Sequence, residues 1–193
     1  MKRFILLVLA GLMLINMNQK NKTAEDEMTV AWLRNPDNGM SNASVQTGSF
    51  FVTQRNTVYG ADCKGCTIEN GISSTSAQIE MTKEAVRQSD GTWKSGITYD
   101  GYYLIAADPL IPLCTVVQIS RHSYSGEGIE ENESFLAIVV DRGGLIQGKS
   151  IDLYAGSENN PKVIHKESSG AIVTIIGFLQ HRNEDGRMIC AGP

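Results

Sequence analysis

The sequence predicts an all-β domain made of many short strands. From residue 49 onward, apolar and β-branched residues recur in short runs, and Gly, Pro, Asn and Ser separate the runs. Helical patterns are weak, and the only candidates are residues 79–88 and a turn near residues 160–164. Many short strands with turn residues between them are typical of a closed barrel or a sandwich.

Seven strands are predicted in chain order, each an apolar or β-branched run bounded by turn residues. They occupy residues 50–53, 57–59, 102–106, 115–119, 135–140, 150–154 and 171–179. Two longer segments between them are predicted to be insertions at the rim of the domain. Residues 89–101 carry Trp93 and Tyr99, and residues 123–134 carry four glutamates that most simply form a solvated hairpin tip.

The N-terminal segment, residues 1–20, is predicted to be a signal peptide or an N-terminal membrane anchor. Lys2 and Arg3 precede an apolar run from residue 4 to residue 15, and this order is typical of an export signal. The run is shorter than the roughly 20 residues that a membrane span needs. Neither a lipid-attachment cysteine nor a small-x-small cleavage site follows it, so an uncleaved anchor in the membrane stays open.

Residues 21–48 are mostly polar and are predicted to be a linker, which leaves residues 49–193 as one β domain. The net charge is −4 and the basic residues form no cluster, so nucleic acid is not an expected partner. The chain has no phosphate-binding loop and no recognisable metal-ligand spacing. No cofactor and no metal are therefore predicted.

The chain has four cysteines, Cys63, Cys66, Cys114 and Cys190. In an exported protein an even number of cysteines permits disulfides, and a Cys63–Cys66 bond would close a small loop. Cys114 and Cys190 would then be left for each other. Free thiols and a four-cysteine zinc site are the alternatives, although the second pair lacks the Cys-x-x-Cys spacing. The Cys63–Cys66 disulfide is the prediction.

Three aspartates lie in distinctive surroundings. Asp108 stands in the run AADPLIPL, Asp141 in VVDRGGLIQG and Asp152 in SIDLY. A carboxylate among strand hydrophobes is costly to bury unless it is paired or hydrogen-bonded. Burial also raises the pKa of a carboxyl group, which suits a proton donor. The three acids therefore predict an acidic active-site groove.

These segments resemble the three-aspartate (3D) domain of bacterial cell-wall enzymes. The family pattern has Ala-x-Asp-Pro before Ile-Pro-Leu-Gly-Thr, then Asp-x-Gly-Gly-x-Ile-x-Gly, then Ile-Asp. The chain matches this pattern at Ala106, Asp108, Pro109, Ile111, Pro112, Leu113, Thr115, Asp141, Gly143, Gly144, Ile146, Gly148, Ile151 and Asp152. Residues 59–66 also look like the entry strand of the stationary-phase survival proteins of Gram-positive bacteria. Cys114 departs from the pattern, because the family usually has glycine there.

The resemblance implies a six-stranded double-psi β-barrel with short helical turns and rim insertions. It also implies a peptidoglycan lytic transglycosylase, which cleaves the β-1,4 bond between N-acetylmuramic acid and N-acetylglucosamine and closes a 1,6-anhydro ring. Glycan strands are the implied partner, and the protein would be secreted or anchored at the bacterial cell envelope. A non-catalytic glycan-binding barrel and a glycan hydrolase are the alternatives, and the presence of all three acids favours chemistry.

Catalytic roles are expected for the three acids. The resemblance implies that Asp152 is a single general acid and base, and strand alternation supports this locally because it turns Asp152 away from Ile151 and Leu153. Asp141 is expected to hold substrate hydroxyls or to raise the pKa of Asp152. Asp108 is assigned to the same groove. For each acid, a purely structural carboxylate is the alternative.

Substrate contacts are expected from five further residues: Arg142, Gly143, Gly144, Tyr154 and Thr115. The two glycines would let the backbone adopt a positive φ and approach a ligand closely. Arg142 could pair with a carboxylate or with a lactyl group, although solvent exposure is the simpler interpretation. Tyr154 shares a face of its strand with Asp152. Thr115 could donate a hydrogen bond, although strand packing explains it equally well.

Overall fold

The computed structural model describes residues 45–63, 66, 68–163, 165, 167–182 and 188–191 of the chain. The predicted signal or anchor segment and residues 21–44 of the predicted linker lie outside these ranges. In the described part of the chain, no helix is long and apolar enough to cross a membrane.

Every regular element in the described residues is a β-strand, which confirms the all-β class. The turn predicted near residues 160–164 is a single turn, in which the Val163 N–H donates to the Asn160 carbonyl oxygen at 3.2 Å. The strands in chain order are β1 (Phe50–Val52), β2 (Arg55–Tyr59), β3 (Ile68–Glu69), β4 (Ile72–Ser74), β5 (Glu80–Met81), β6 (Ala85–Arg87), β7 (Trp93–Ser95), β8 (Thr98–Tyr99), β9 (Tyr102–Ala107), β10 (Thr115–Ser120), β11 (Phe135–Asp141), β12 (Ser150–Tyr154), β13 (Ile172–Phe178), β14 (Gln180–Arg182) and β15 (Met188–Cys190).

Residues 79–88 form a hairpin, so the helix considered for this segment is wrong. Strands β5 and β6 pair antiparallel with Met81 opposite Val86, and both side chains are buried. The turn between the strands is closed by Thr82, whose hydroxyl oxygen accepts the Ala85 N–H at 3.1 Å. Turn chemistry and the burial of two facing apolar side chains therefore outweigh a weak helical pattern.

The main sheet is curled into a half-barrel and contains eight strands, where the resemblance implied six. Its path runs β1-β13-β10-β11-β9-β12-β2, and β8 pairs with β9 beside this path. Most neighbouring strands are antiparallel, but β9 and β11 are parallel, and so are β2 and β12. Each of the seven predicted strands is present in this sheet, and β8 is the addition.

Two smaller sheets accompany the main one, a five-stranded sheet of β3 to β7 and a pair of β14 and β15. The predicted rim insertion 89–101 supplies β7 and β8. In the other insertion, 123–134, the last three of the four glutamates are exposed, as expected of a solvated tip. Its Tyr124 is fully buried, and the hydroxyl donates to the Thr57 carbonyl oxygen at 3.0 Å. This insertion is therefore attached to β2.

The structure pairs Cys63 with Cys66 and Cys114 with Cys190. Cys114 has a φ of +65°, in the left-handed region that glycine adopts at least cost. Cys114 therefore has a backbone conformation that a glycine adopts readily, and its side chain attaches β15 to the main sheet. The partners of this second disulfide are 76 residues apart, against three for the first. In the chain-entropy model the Cys114–Cys190 bond contributes about 4.5 kcal/mol to stability and the Cys63–Cys66 bond about 2 kcal/mol.

Candidate active site

Four residues form one row across four adjacent strands of the main sheet. Asp141 of β11 lies opposite Ala106 of β9, Ala106 lies opposite Asp152 of β12, and Asp152 lies opposite Thr57 of β2. Residues directly opposite one another point to the same face of a sheet. Asp141 and Asp152 therefore share a face, two strand spacings or roughly 10 Å apart at Cα. In the row, the methyl group of Ala106 lies between them. We call these four residues the aspartate row.

A β-bulge brings Asp141 into the aspartate row. Ile105 and Ala106 are consecutive on β9, but their partners on β11 are Val139 and Asp141, so Val140 is an extra residue. With an unbroken register, Val140 would lie opposite Ala106 and Asp141 would point to the other face of the sheet. Bulges are common next to active sites, where they redirect a side chain in this way.

Asp152 is a partly buried carboxyl in the middle of β12. The Thr57 hydroxyl donates a hydrogen bond to its Oδ1 at 2.7 Å. Burial raises the pKa of Asp152 to about 6, and the charges of Asp141 and Glu158 act in the same direction. The Thr57 hydrogen bond and the charge of Arg55 lower this pKa but do not cancel the effect of burial. A carboxyl with such a pKa can both donate and recover a proton in mildly acidic conditions.

Asp141 is held by three donors that converge on its Oδ1. The Ser76 N–H donates at 3.0 Å, the Ser76 hydroxyl at 2.8 Å and the Arg142 N–H at 2.8 Å. Ser76 lies in the turn between β4 and β5, and the next residue, Ala77, donates its N–H to the Val140 carbonyl oxygen at 2.8 Å. The five-stranded sheet therefore supplies the turn that orients Asp141.

Asp108 has a different set of contacts and is only 8% exposed. Its Oδ1 accepts the Leu110 N–H at 2.8 Å, and its Oδ2 accepts the Gly148 N–H. Both oxygens are thus bonded to backbone N–H groups, one in the turn after β9 and one in the loop between β11 and β12. Of the three predicted acids, the structure brings Asp141 and Asp152 together in one row and gives Asp108 the contacts of a structural carboxylate.

Arg142 is partly buried, so the interpretation of solvent exposure is wrong. Its Nη1 donates to the carbonyl oxygens of Ala107 at 3.1 Å and Asp141 at 3.3 Å, and its Nη2 donates to the carbonyl oxygen of Ile111. Burial lowers the pKa of the guanidinium, and the charges of Asp108 and Asp141 oppose that shift. Arg142 therefore joins the ends of β9 and β11 to the turn that follows β9.

The glycines after β11 differ from the expectation. Gly143 and Gly144 do not have a positive φ, whereas Gly148 further along the loop has a φ of +61°. A Cβ on Gly143 would approach the Ile146 side chain to 2.8 Å, but one on Gly144 would meet open space. The neighbouring Leu145 is 79% exposed. This loop therefore presents an open stretch of backbone and one apolar side chain directly after the aspartate row.

Tyr154 and Thr115 are fully buried. The Tyr154 hydroxyl donates to the Thr82 carbonyl oxygen, and its ring packs against that of Tyr59 with the centroids 5.5 Å apart. The Thr115 hydroxyl donates to the Pro112 carbonyl oxygen at 2.7 Å. Neither side chain reaches the surface, so the substrate contacts expected of them are not available in this structure.

Three residues that no sequence motif indicates lie next to the carboxylates: Thr57, Ser76 and Tyr59. The Tyr59 hydroxyl is buried close to Asp141, although it makes no hydrogen bond of normal geometry among the described residues. Burial raises the pKa of this hydroxyl well above its usual value, and the charges of Asp141 and Asp152 add to that. Thr57 and Tyr59 alternate on β2, so they share a face, but only the pairing of β2 with β12 reveals that this is the face of Asp152.

The aspartate row offers acid–base chemistry by side chains alone. It combines a carboxyl that can exchange a proton near pH 6 with a second carboxylate held by three donors. Within the described ranges, His, Cys, Asp and Glu side chains form no group of three or more that could hold a metal ion.

A family model described as the 3D domain matches residues 103–173. This range contains Asp108, Asp141 and Asp152, all of β9 except its first residue, and the strands β10 to β12. The chain therefore carries a 3D domain, as the sequence motifs indicated, and this family is associated with enzymes that act on peptidoglycan. Searches of curated proteins and of solved structures gave no significant match.

Proposed function

We propose that this protein is a peptidoglycan lytic transglycosylase with Asp152 as its general acid and base. The observation that carries the proposal is the partly buried Asp152, whose pKa is raised to about 6, in one row with a second carboxylate of a 3D domain. Ordinary glycosidases divide the acid and base work between two carboxyl groups. A transglycosylase uses one group for both steps, which requires a carboxyl that gains and loses a proton readily.

The reaction balances with one proton and no water. Protonated Asp152 donates its proton to the glycosidic oxygen, and the bond between that oxygen and C1 of the muramyl sugar breaks. The ionised carboxylate then removes the proton from the C6 hydroxyl of the same sugar while the O6–C1 bond forms. The product is a 1,6-anhydro ring, and Asp152 is protonated again for the next cycle.

Asp141 has an electrostatic role in this scheme. Its negative charge raises the pKa of Asp152, so it favours the protonated form before the first step. The same charge lies on the face of the sheet where positive charge develops on the sugar ring, and nearby fixed charge stabilises such a transition state. The donors from Ser76 and Arg142 keep this carboxylate in place during the reaction.

The proposal includes a double-psi β-barrel fold and a location at the cell envelope. Two parallel strand pairs within an otherwise antiparallel curled sheet are consistent with a double-psi barrel. Two disulfides are typical of proteins that fold in an oxidising compartment, which supports export to the cell envelope. Peptidoglycan glycan strands would be the binding partner. If the N-terminal segment is not cleaved, it would also anchor the protein to the membrane.

Mass spectrometry of the muropeptides released from purified cell walls tests the proposal. The protein should release products with 1,6-anhydro ends, and Glu131→Gln, which removes a carboxylate from the exposed hairpin tip, should release them at the same rate. Products with reducing ends would identify a hydrolase. Retention on cell walls with no released product would identify a binding module, and either result would refute the transglycosylase.

A further inference from the structure

A cavity lies beside the turn that holds Asp141. It has a volume of about 750 Å³ and lies between the five-stranded sheet and β15. Ile79, Tyr99 and Cys190 line it with largely buried side chains, while Glu80, Arg87 and Gln88 contribute polar groups. A cavity of this volume, with polar and charged groups beside a few apolar side chains, can accommodate a small polar ligand.

The cavity begins next to the aspartate row. Ser76 donates two hydrogen bonds to Asp141, and the following residues, Ala77 and Gln78, line the cavity. Consecutive Cα atoms are 3.8 Å apart, so the cavity wall starts within roughly 8 Å of the residue that binds Asp141. A group attached to a sugar at the aspartate row would therefore reach this cavity without a long spacer.

Both signs of charge are present in the cavity. Arg87 donates from Nη1 to Glu80 at 2.6 Å and from Nε to the Gly91 carbonyl oxygen at 3.3 Å. The two side chains of the ion pair are 48% and 38% exposed, so each also faces the open cavity. These contacts engage two of the five N–H donors of the guanidinium, whose planar geometry suits carboxylates.

We infer that this cavity binds the short peptide that substitutes the muramyl sugar, and the inference rests on the proposed function. A stem peptide carries free carboxylates, which suit Arg87, and in many cell walls an ammonium group, which suits Glu80. Its alanine methyl groups suit the apolar side chains of Ile79 and Tyr99. The peptide is joined to the sugar through a lactyl group, so a sugar at the aspartate row brings it to the adjacent cavity.

Nuclear magnetic resonance with the free stem tetrapeptide tests this binding without any cleavage. The peptide should shift the backbone resonances of Gln78, Gln88 and Gly91, and Arg87→Gln should weaken its binding by at least about tenfold, the loss of a charge-assisted hydrogen bond. Lys94→Gln is the matched control, because Lys94 is an exposed cation on the neighbouring strand β7 and does not line the cavity. If Arg87→Gln fails to fold, Glu80→Gln tests the same ion pair.

Cleavage assays with two substrates give the second test. Arg87→Gln should slow the cleavage of peptide-substituted glycan and leave the cleavage of peptide-free glycan unchanged. Absence of peptide-induced shifts at the cavity, or equal effects of Arg87→Gln and Lys94→Gln, would overturn the inference while leaving the proposed function intact. A protein that binds the tetrapeptide at the cavity but cleaves neither substrate would support the peptide site and refute the transglycosylase.

Discussion

Asp152 and Asp108 are aspartates of the same domain, but their surroundings give them different properties. Asp108 follows β9, and each of its oxygens accepts a backbone N–H. Asp152 lies within β12 and accepts a hydrogen bond from the Thr57 hydroxyl, and burial raises its pKa to about 6. Both carboxyls are removed from water to a large extent, so burial by itself does not separate the two roles.

The difference lies in the partners that replace water. The Asp108 carboxylate holds two loops in place through backbone N–H groups on both of its oxygens. Removal of this carboxylate would therefore lower the stability of the fold. A single hydroxyl leaves a partly buried carboxyl able to take up a proton, which is the property that acid–base catalysis requires. A motif that lists three aspartates therefore contains acids of more than one kind, and the contacts of each acid distinguish them.

The largest expected effect is that of Asp152→Asn on cleavage. Asparagine has nearly the same shape but cannot donate and recover a proton, so the rate should fall by at least about 10²–10⁴-fold. The release of anhydro-muropeptides measures this loss, and circular dichroism checks that the variant is folded. A folded variant with nearly the original rate would remove Asp152 from the chemistry.

Asp108→Asn should mainly reduce stability. The amide keeps one acceptor oxygen but turns an NH₂ donor toward a backbone N–H, of Leu110 or of Gly148. An unsatisfied buried donor costs about 1–3 kcal/mol, which urea unfolding would detect as a lower free energy of unfolding. The folded fraction should keep far more activity than Asp152→Asn. A variant of unchanged stability that has lost its activity would place Asp108 in the reaction instead.

Asp152→Asn should also change how stability depends on pH. The pKa of Asp152 is about 6 in the folded protein and about 3.8 without the surroundings of the fold. Between these values the folded state binds more protons than the unfolded state, so stability falls as the pH rises from about 4 to about 6. The neutral variant lacks this loss. It should be more stable than the original protein by on the order of 3 kcal/mol at pH 7, and similar to it at pH 4.

Thermal unfolding of the two proteins across this pH range measures the effect. The control is Glu131→Gln, which removes an exposed carboxylate and should leave the pH dependence of stability the same as in the original protein. If Asp152→Asn instead gained stability relative to the original protein as the pH falls, the carboxylate of Asp152 would be stabilised by the fold and could not be the proton donor.

The smallest effects are expected from the neighbours of Asp152. Asp141→Asn removes a charge that raises the pKa of Asp152, and Thr57→Val removes a hydrogen bond that lowers it. The pH above which activity declines should therefore move down in the first variant and up in the second, each by about one unit or less. Profiles of kcat/KM against pH measure both shifts. Shifts in the same direction would show that these neighbours act through packing.

Much of the fold could be predicted from local patterns, because strand runs and turn residues are local properties. All seven predicted strands are present in the main sheet. The hairpin at residues 79–88 was missed, since two buried side chains and a threonine turn outweigh a weak helical pattern. The second disulfide was left open, because only the fold brings Cys114 and Cys190 to a Cα separation of 5.0 Å.

The sequence predicts which acidic residues belong to the candidate site, but it does not predict how they are arranged in space. Alternation placed Asp152 correctly away from Ile151 and Leu153, which are both fully buried. The face of Asp141 depends on a bulge at Val140, and a two-residue period does not reveal a bulge. The partners Thr57 and Ser76 come from distant parts of the chain, so only strand pairing and loop packing bring them to the acids.

The most direct test of the account is the titration of the Asp152 carboxyl carbon by ¹³C nuclear magnetic resonance, with Asp152→Asn to assign the signal. Asp152 should titrate near pH 6, because burial raises its pKa to about 6 and the charge of Asp141 adds to that shift. A pKa at or below about 4, the ordinary range of an aspartate, would contradict the account, because the acid would then have no proton to donate near neutral pH.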